Sequence, residues 1–291
     1  MTRTSRKSRQ VGFTLIELMV ALGIFLVISG VAFSLLAMSQ QRYQAESQVT
    51  NAFQDARLAL DEIVRDVDGA GFPPSNQFSF PPTVLNPPNA SVYASSPFAW
   101  SPGYPATPCQ IGTAGGGTCT TATAGDSAPG DFDLIVETNI DPQDLGSTVQ
   151  WIRYQLQGTT LYRGIVAKAV VGDPDAATSG PGVMLPYVQN VMNNASAGQI
   201  AQFQAAYPGM FPGGTAVPIF SYICDPVPVT PPATQPAPQP CPLSAGNNSP
   251  TNIRDVNITL IVMAPSPDAQ AGGRPLLVQL NGRARRINPS Y

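Results

Sequence analysis

Histidine is absent from all 291 residues, and that gap removes a large share of enzyme chemistry. Ser-His-Asp and Cys-His nucleophiles both need an imidazole, as does every histidine-ligated metal site. Cysteine is scarce: Cys109, Cys119, Cys224 and Cys241 are the whole supply. They stand too far apart for the close C-x-x-C pairs that thiolate zinc sites favour. Charge is thin at 11% of residues, and 15 bases against 18 acids give no basic excess for holding nucleic acid. Gly115-Gly116-Gly117 lacks the Lys-Ser/Thr of a phosphate loop and reads as a flexible loop. Neither a metal nor a cofactor is expected, and no enzymatic activity.

What the chain does have is a long apolar run, from Gly12 to Met38. From Leu18 to Met38 no charge interrupts it, enough at about 1.5 Å rise per residue to cross a hydrocarbon layer of about 30 Å as a helix. Arg3, Arg6, Lys7 and Arg9 precede it. Basic residues before an apolar segment hold that end in the cytoplasm and send the remainder outward. Outside this leader the balance is 11 bases against 18 acids, net −7. One carboxylate, Glu17, sits just inside the run, where an unpaired acid costs roughly 2.5–3.5 kcal/mol at the bilayer centre and less near an interface. A cut after Gly12 would give Phe13 a free amine about one helical turn from Glu17. The two can then pair within one chain, or the carboxylate can accept a neighbour's amine when helices stack.

Gly12-Phe13-Thr14-Leu15-Ile16-Glu17 behind a short basic leader resembles the class III signal peptide of type IV prepilins and type II secretion pseudopilins. The resemblance implies cleavage after Gly12 by a prepilin peptidase, N-methylation of Phe13, and docking between subunits guided by Glu17. It implies as partners other pilin or pseudopilin subunits, an inner-membrane assembly platform and the lipid bilayer before assembly. The expected location is the inner membrane, single-pass with an extracytoplasmic C-terminal domain, and then a pilus or pseudopilus.

From Val49 the apolar pattern narrows to a stripe: Val49, Phe53, Ala56, Leu60, Ile63 or Val64, and Val67. Steps of three and four mark an amphipathic helix with one buried face. Gln54, Asp55, Asp61, Glu62 and Arg65 supply the wet face. Phe13 to Asp68 is expected as one helix of about 84 Å, ended by Gly69-Ala70-Gly71-Phe72-Pro73-Pro74. Gly23 and Gly30 lie inside it, either for close packing between membrane helices or for local loosening. Pro73 to Thr123 reads as a long connection lying over the domain. Strands are expected at Phe132–Glu137, Thr148–Leu156, Thr160–Ala169, Val217–Cys224, Val256–Met263 and Leu276–Leu280, with a hairpin turn at Gln157-Gly158-Thr159. Proline-rich Asp225 to Pro242 will not make a central strand.

The expected fold class is α+β, a long N-terminal helix packed on an antiparallel sheet of five to six strands, which also resembles the pilin fold. The expected division is 1–12 leader, 13–38 membrane and assembly helix, 39–71 amphipathic helix, and 72–291 β-rich extracytoplasmic domain. Three stretches, Arg57 to Phe72, Val149 to Arg163 and Val217 to Tyr222, are loosely similar to PilW/PulJ-type minor pilins. The four cysteines suit an extracytoplasmic compartment. Pairing Cys109 with Cys119 and Cys224 with Cys241 closes two short loops, although four cysteines allow three connectivities.

Two acid pairs, Asp131/Asp133 and Asp173/Asp175, are solvated turn residues, calcium ligands or, least in keeping, glycosidase-type groups. Arg283, Arg285 and Arg286 either guard a strand edge or meet an acidic partner. Tyr93, Phe98, Trp100 and Tyr104 either anchor loops or form a binding patch. The functional expectation is a minor pilin serving pilus initiation, adhesion, motility or DNA uptake. A type II secretion pseudopilin is the near alternative. A membrane-anchored binding protein or hydrolase that never polymerises is the alternative of another class, and it would keep residues 1–12.

Overall fold

The computed structural model describes residues 12–75, 91–101, 103–104, 108–112, 119, 128–141, 148–169, 172–226, 237–244, 247–264 and 276–287. Residues 1–11 of the leader, Gly115 to Gly117, and Gly272-Gly273, expected as a turn between the last two strands, lie outside them. One helix, α1, runs from Leu15 to Asp68 without a break. The chain divides into two compact units, Met1–Gln48 and Val49–Tyr291.

In the first unit α1 is exposed on every side, with Leu18 at 63% and Phe33 at 72% of full exposure. Long apolar side chains on every face are what a hydrocarbon solvent selects and what water rejects. This segment is long and apolar enough to cross a membrane. A Cβ on Gly23 or Gly30 would meet open space.

In the second unit the stripe faces a core. Ala56, Ala59, Leu60, Ile63 and Val67 are buried, while Asp55, Asp61 and Arg65 stay wet. Burying a side chain the size of Ile63 stabilises the fold by about 1.5–3 kcal/mol. Two four-stranded antiparallel sheets complete the unit. The first is β1 (Asp133–Thr138), β2 (Gln150–Gln157), β3 (Thr160–Ala167) and β4 (Met184–Val188), in that spatial order. The second, made of β5 (Phe220–Cys224), β6 (Gln239–Pro240), β7 (Ile253–Met263) and β8 (Leu277–Arg285), is ordered β6-β5-β7-β8. Two short helices, α2 (Pro174–Thr178) and α3 (Ala197–Ala206), lie in the connections.

Both sheets touch the second half of α1. At β8, Gly282 lets the helix come close: a Cβ there would lie 2.8 Å from Leu60 Cδ1 and 3.3 Å from Val64 Cγ2. Toward the first sheet the contact is polar. Tyr154 Oη donates to Asp66 Oδ2 at 2.6 Å, Arg163 reaches Asp66 at 2.8 Å and Glu62 at 3.0 Å, and Tyr187 donates to Glu62. Burial, with Asp66 beside it, pushes the Tyr154 hydroxyl well above its ordinary range, so it remains a donor.

The hairpin of β2 and β3 turns on Gly158 at φ 60°, a left-handed position that costs glycine nothing. The single sheet expected from the sequence is two sheets instead. β4, interrupted by Pro186, and the two-residue β6 carry too little periodicity to be read as strands, yet both serve as edges, where proline is tolerated. β8 runs on to Arg285, past the expected end at Leu280, and β7 begins earlier, at Ile253.

Candidate functional site

The candidate site lies at the start of α1. Helix begins at Leu15, two residues later than expected, because Thr14 caps it. Thr14 N and Thr14 Oγ1 both donate to Glu17 Oε2, at 3.1 and 3.0 Å, and Glu17 N donates back to Thr14 Oγ1 at 3.4 Å. This reciprocal pattern is a capping box, which satisfies backbone donors that a helix start leaves unpaired. The same device opens α3, between Ser196 and Gln199. The Thr14-x-x-Glu17 spacing was a readable signal, but sequence reasoning assigned Glu17 only an intermolecular or terminal partner and gave Thr14 no role. Gly12 and Phe13 lie outside the helix, Phe13 at 88% exposure.

The acid pairs do not make a site. Asp133 and Asp175 were expected as wet turn residues, and both are instead buried against the fully buried Arg153, at 2.7 and 2.6 Å. Burial alone would weaken that guanidinium's hold on its proton, yet its hydrogen bonds and charge pairing with Asp133 and Asp175 raise its pKa. Asp173 instead caps α2 and accepts from Ser101 Oγ at 2.7 Å. The Arg153 guanidinium fills the space between Asp133 and Asp175, so neither acid is an uncompensated buried charge, and removing any one of the three would strand a partner. Among the described residues no group of three or more Asp, Glu, Cys or His side chains could hold a metal.

A second buried pair, Lys168 and Glu137 at 2.6 Å, ties β1 to the segment after β3 and to loop 91–101 through Tyr93 O and Ser95. Burial raises the pKa of Glu137 against the opposing pull of Lys168. The aromatics Tyr93, Phe98 and Trp100 are buried, and Tyr104 packs edge-on against Trp100 and Trp151. These rings anchor loops to the core. Disulfides join Cys109 to Cys119 and Cys224 to Cys241, with Cα separations of 4.7 and 5.4 Å. The arginine cluster lies at the end of edge strand β8, where Arg283 pairs with buried Asp255 at 2.9 Å and Arg286 donates to Thr251 O. Burial lowers the Arg286 pKa. An open groove of about 580 Å³ at the end of α1 is lined by Arg65, Asp66, Asp68, Phe72, Thr138 and Ile287 among others, and the Thr138 hydroxyl there donates to Gly69 O at 2.7 Å.

Residues 7–33 match the family model of the prokaryotic N-terminal methylation motif. No curated protein and no solved structure matches the chain. The matched stretch contains Gly12, Phe13, Thr14 and Glu17, so the motif and the capping box coincide. The motif supports a type IV pilin-like or pseudopilin-like subunit and implies processing by a prepilin peptidase. With the apolar start of α1, it is consistent with single-pass anchoring in the inner membrane.

Proposed function

We propose that this chain is a non-catalytic minor pilin of the PilW/PulJ type, which joins a type IV pilus through the first half of α1 and carries its β domain outward. The observation behind the reading is the methylation motif at residues 7–33, running into a helix whose apolar side chains are exposed among the described residues. Such a helix has two solvents, lipid or other helices like itself. Cleavage after Gly12 frees the subunit from its charged leader and creates an ammonium group at Phe13, which a platform in the inner membrane then delivers among pilin-type partners.

Packing in the bundle comes from Leu15 to Leu36, and register from Glu17, because an acid without an ammonium partner is costly in an apolar surrounding. Glu17→Ala is expected to leave membrane insertion intact and lower the amount of the subunit recovered in sheared filaments at least tenfold. Recovery equal to wild type would contradict the mechanism. The same architecture serves a type II secretion pseudopilin. A deletion strain separates the two: loss of piliation or twitching with normal exoprotein secretion supports the pilus, and the reverse supports the pseudopilus.

A further inference from the structure

Among the described residues of the second unit, the large apolar side chains left exposed are Leu58, Ile140, Ile165, Leu185 and Ile287. They fall into two places. Leu58, at 67% exposure, stands on the wet face of α1, flanked by exposed Asp55 and Asp61 three residues to either side. One turn on, Glu62 pairs with Arg163, whose ladder partner on β4 is Leu185 and whose next same-face neighbour on β3 is Ile165. β4 is a sheet edge, but Pro186 has no amide to offer, so a partner meets this side through side chains rather than as an added strand.

The second place is the groove at the end of α1, where Phe72, Ile140 and Ile287 supply apolar walls. Asp66 and Asp68 there already accept hydrogen bonds within the chain, from Tyr154 Oη and Arg285 N. A smaller hollow continues the groove past Asp68 and Ile287 to Arg285. Arg65 and Arg285 leave most of their side chains in water, so the rim offers two guanidiniums. Apolar walls rimmed by cations suit an apolar side chain that stands between two acids.

We infer that two copies of this chain meet head to tail through these surfaces: Leu58 of one copy enters the groove of the next, and its Asp55 and Asp61 face Arg65 and Arg285 there. Pairing either surface with itself would oppose like charges, which disfavours a symmetric dimer. Because knob and groove are different parts of one chain, a first contact leaves one of each unused, and a third copy can add. Both surfaces lie in the second unit, so the contact does not depend on where the leader is cut.

The test cross-links full-length chains in detergent micelles with a short bismaleimide. All four native cysteines are in disulfides, so only an introduced thiol reacts. Leu58→Cys mixed with Ile287→Cys is expected to link roughly fivefold more than Leu58→Cys mixed with Ser221→Cys, an exposed site on β5. Adding Asp55→Lys and Asp61→Lys to the Leu58→Cys chain should remove that excess while leaving the domain's unfolding transition in place. A yield no higher than the Ser221→Cys control overturns the inference. So does Leu58→Cys linking to itself as readily as to Ile287→Cys, which marks a symmetric contact. Failure of Ile287→Cys to take up a single maleimide also overturns it, because the groove is then covered by its own chain. None of these results bears on the leader, which the intact mass reads separately.

Discussion

The two stretches of α1, Leu15 to Gln48 and Val49 to Asp68, are one helix written for two solvents. The first has apolar side chains on every face as far as Met38 and buries almost none of them, and the acid inside its apolar run, Glu17, is held by the residue that caps the helix. The second confines its apolar side chains to a stripe, and its buried acid, Asp66, is clamped by a tyrosine and an arginine from the first sheet. What differs is how many faces the surroundings ask to be apolar, and how each placed carboxylate finds a donor.

If that contrast is right, substitutions in the second stretch should unfold the domain while equivalent ones in the first leave it alone. The largest effect is expected at Ile63, which is fully buried. Ile63→Ala should cost about 2–5 kcal/mol in denaturant unfolding, whereas Ile28→Ala, at a site exposed within its own chain, should leave the domain's transition unmoved.

Alkaline pH should sharpen the contrast next. Tyr154, Tyr187 and Tyr222 donate to Asp66, Glu62 and Gly130 O, and burial raises all three above the ordinary value of 10.0. A raised folded value means the contribution is complete below pH 10 and shrinks as pH climbs past it toward the folded values, because the unfolded chain releases its protons first. Each tyrosine then withdraws up to about 1.4 kcal/mol per pH unit. Tyrosinate absorbance should show three groups ionising together with loss of tertiary structure. Independent ionisation of all nine before unfolding would break the account.

Removing the clamp is expected to matter somewhat less. Asp66→Ala removes the acceptor of the Tyr154 hydroxyl and one of the two carboxylates paired with the mostly buried Arg163, leaving it Glu62, for about 2–3 kcal/mol, and Tyr154→Phe in the same chain should recover part of that loss. Smallest is Gly282→Ala, whose new methyl presses on Leu60 and Val64 for about 1 kcal/mol, relieved by Leu60→Ala in the same chain. A strictly additive double mutant would show that helix and strand are not in the close contact described.

How much of this was legible in the sequence depended on whether the signal was periodic. The stripe through Ala56, Leu60, Ile63 and Val67 and the β2–β3 hairpin were readable, because spacing and a turn glycine carry them. β4 and β6 were not, since Pro186 and a two-residue length leave no alternation to count. Asp133 and Asp175 looked like wet turn acids beside glycine and proline. Their burial depends on Arg153, twenty or more residues away, which no local pattern links to them. The cap at Thr14 was legible in the local T-x-x-E spacing, although the charge of Glu17 by itself points only to a cationic partner.

The most direct test is the intact mass of the protein purified from its native host. The account predicts a chain that begins at Phe13 with a methylated amine. A chain beginning at Met1, with the arginine-rich leader still attached, would contradict it.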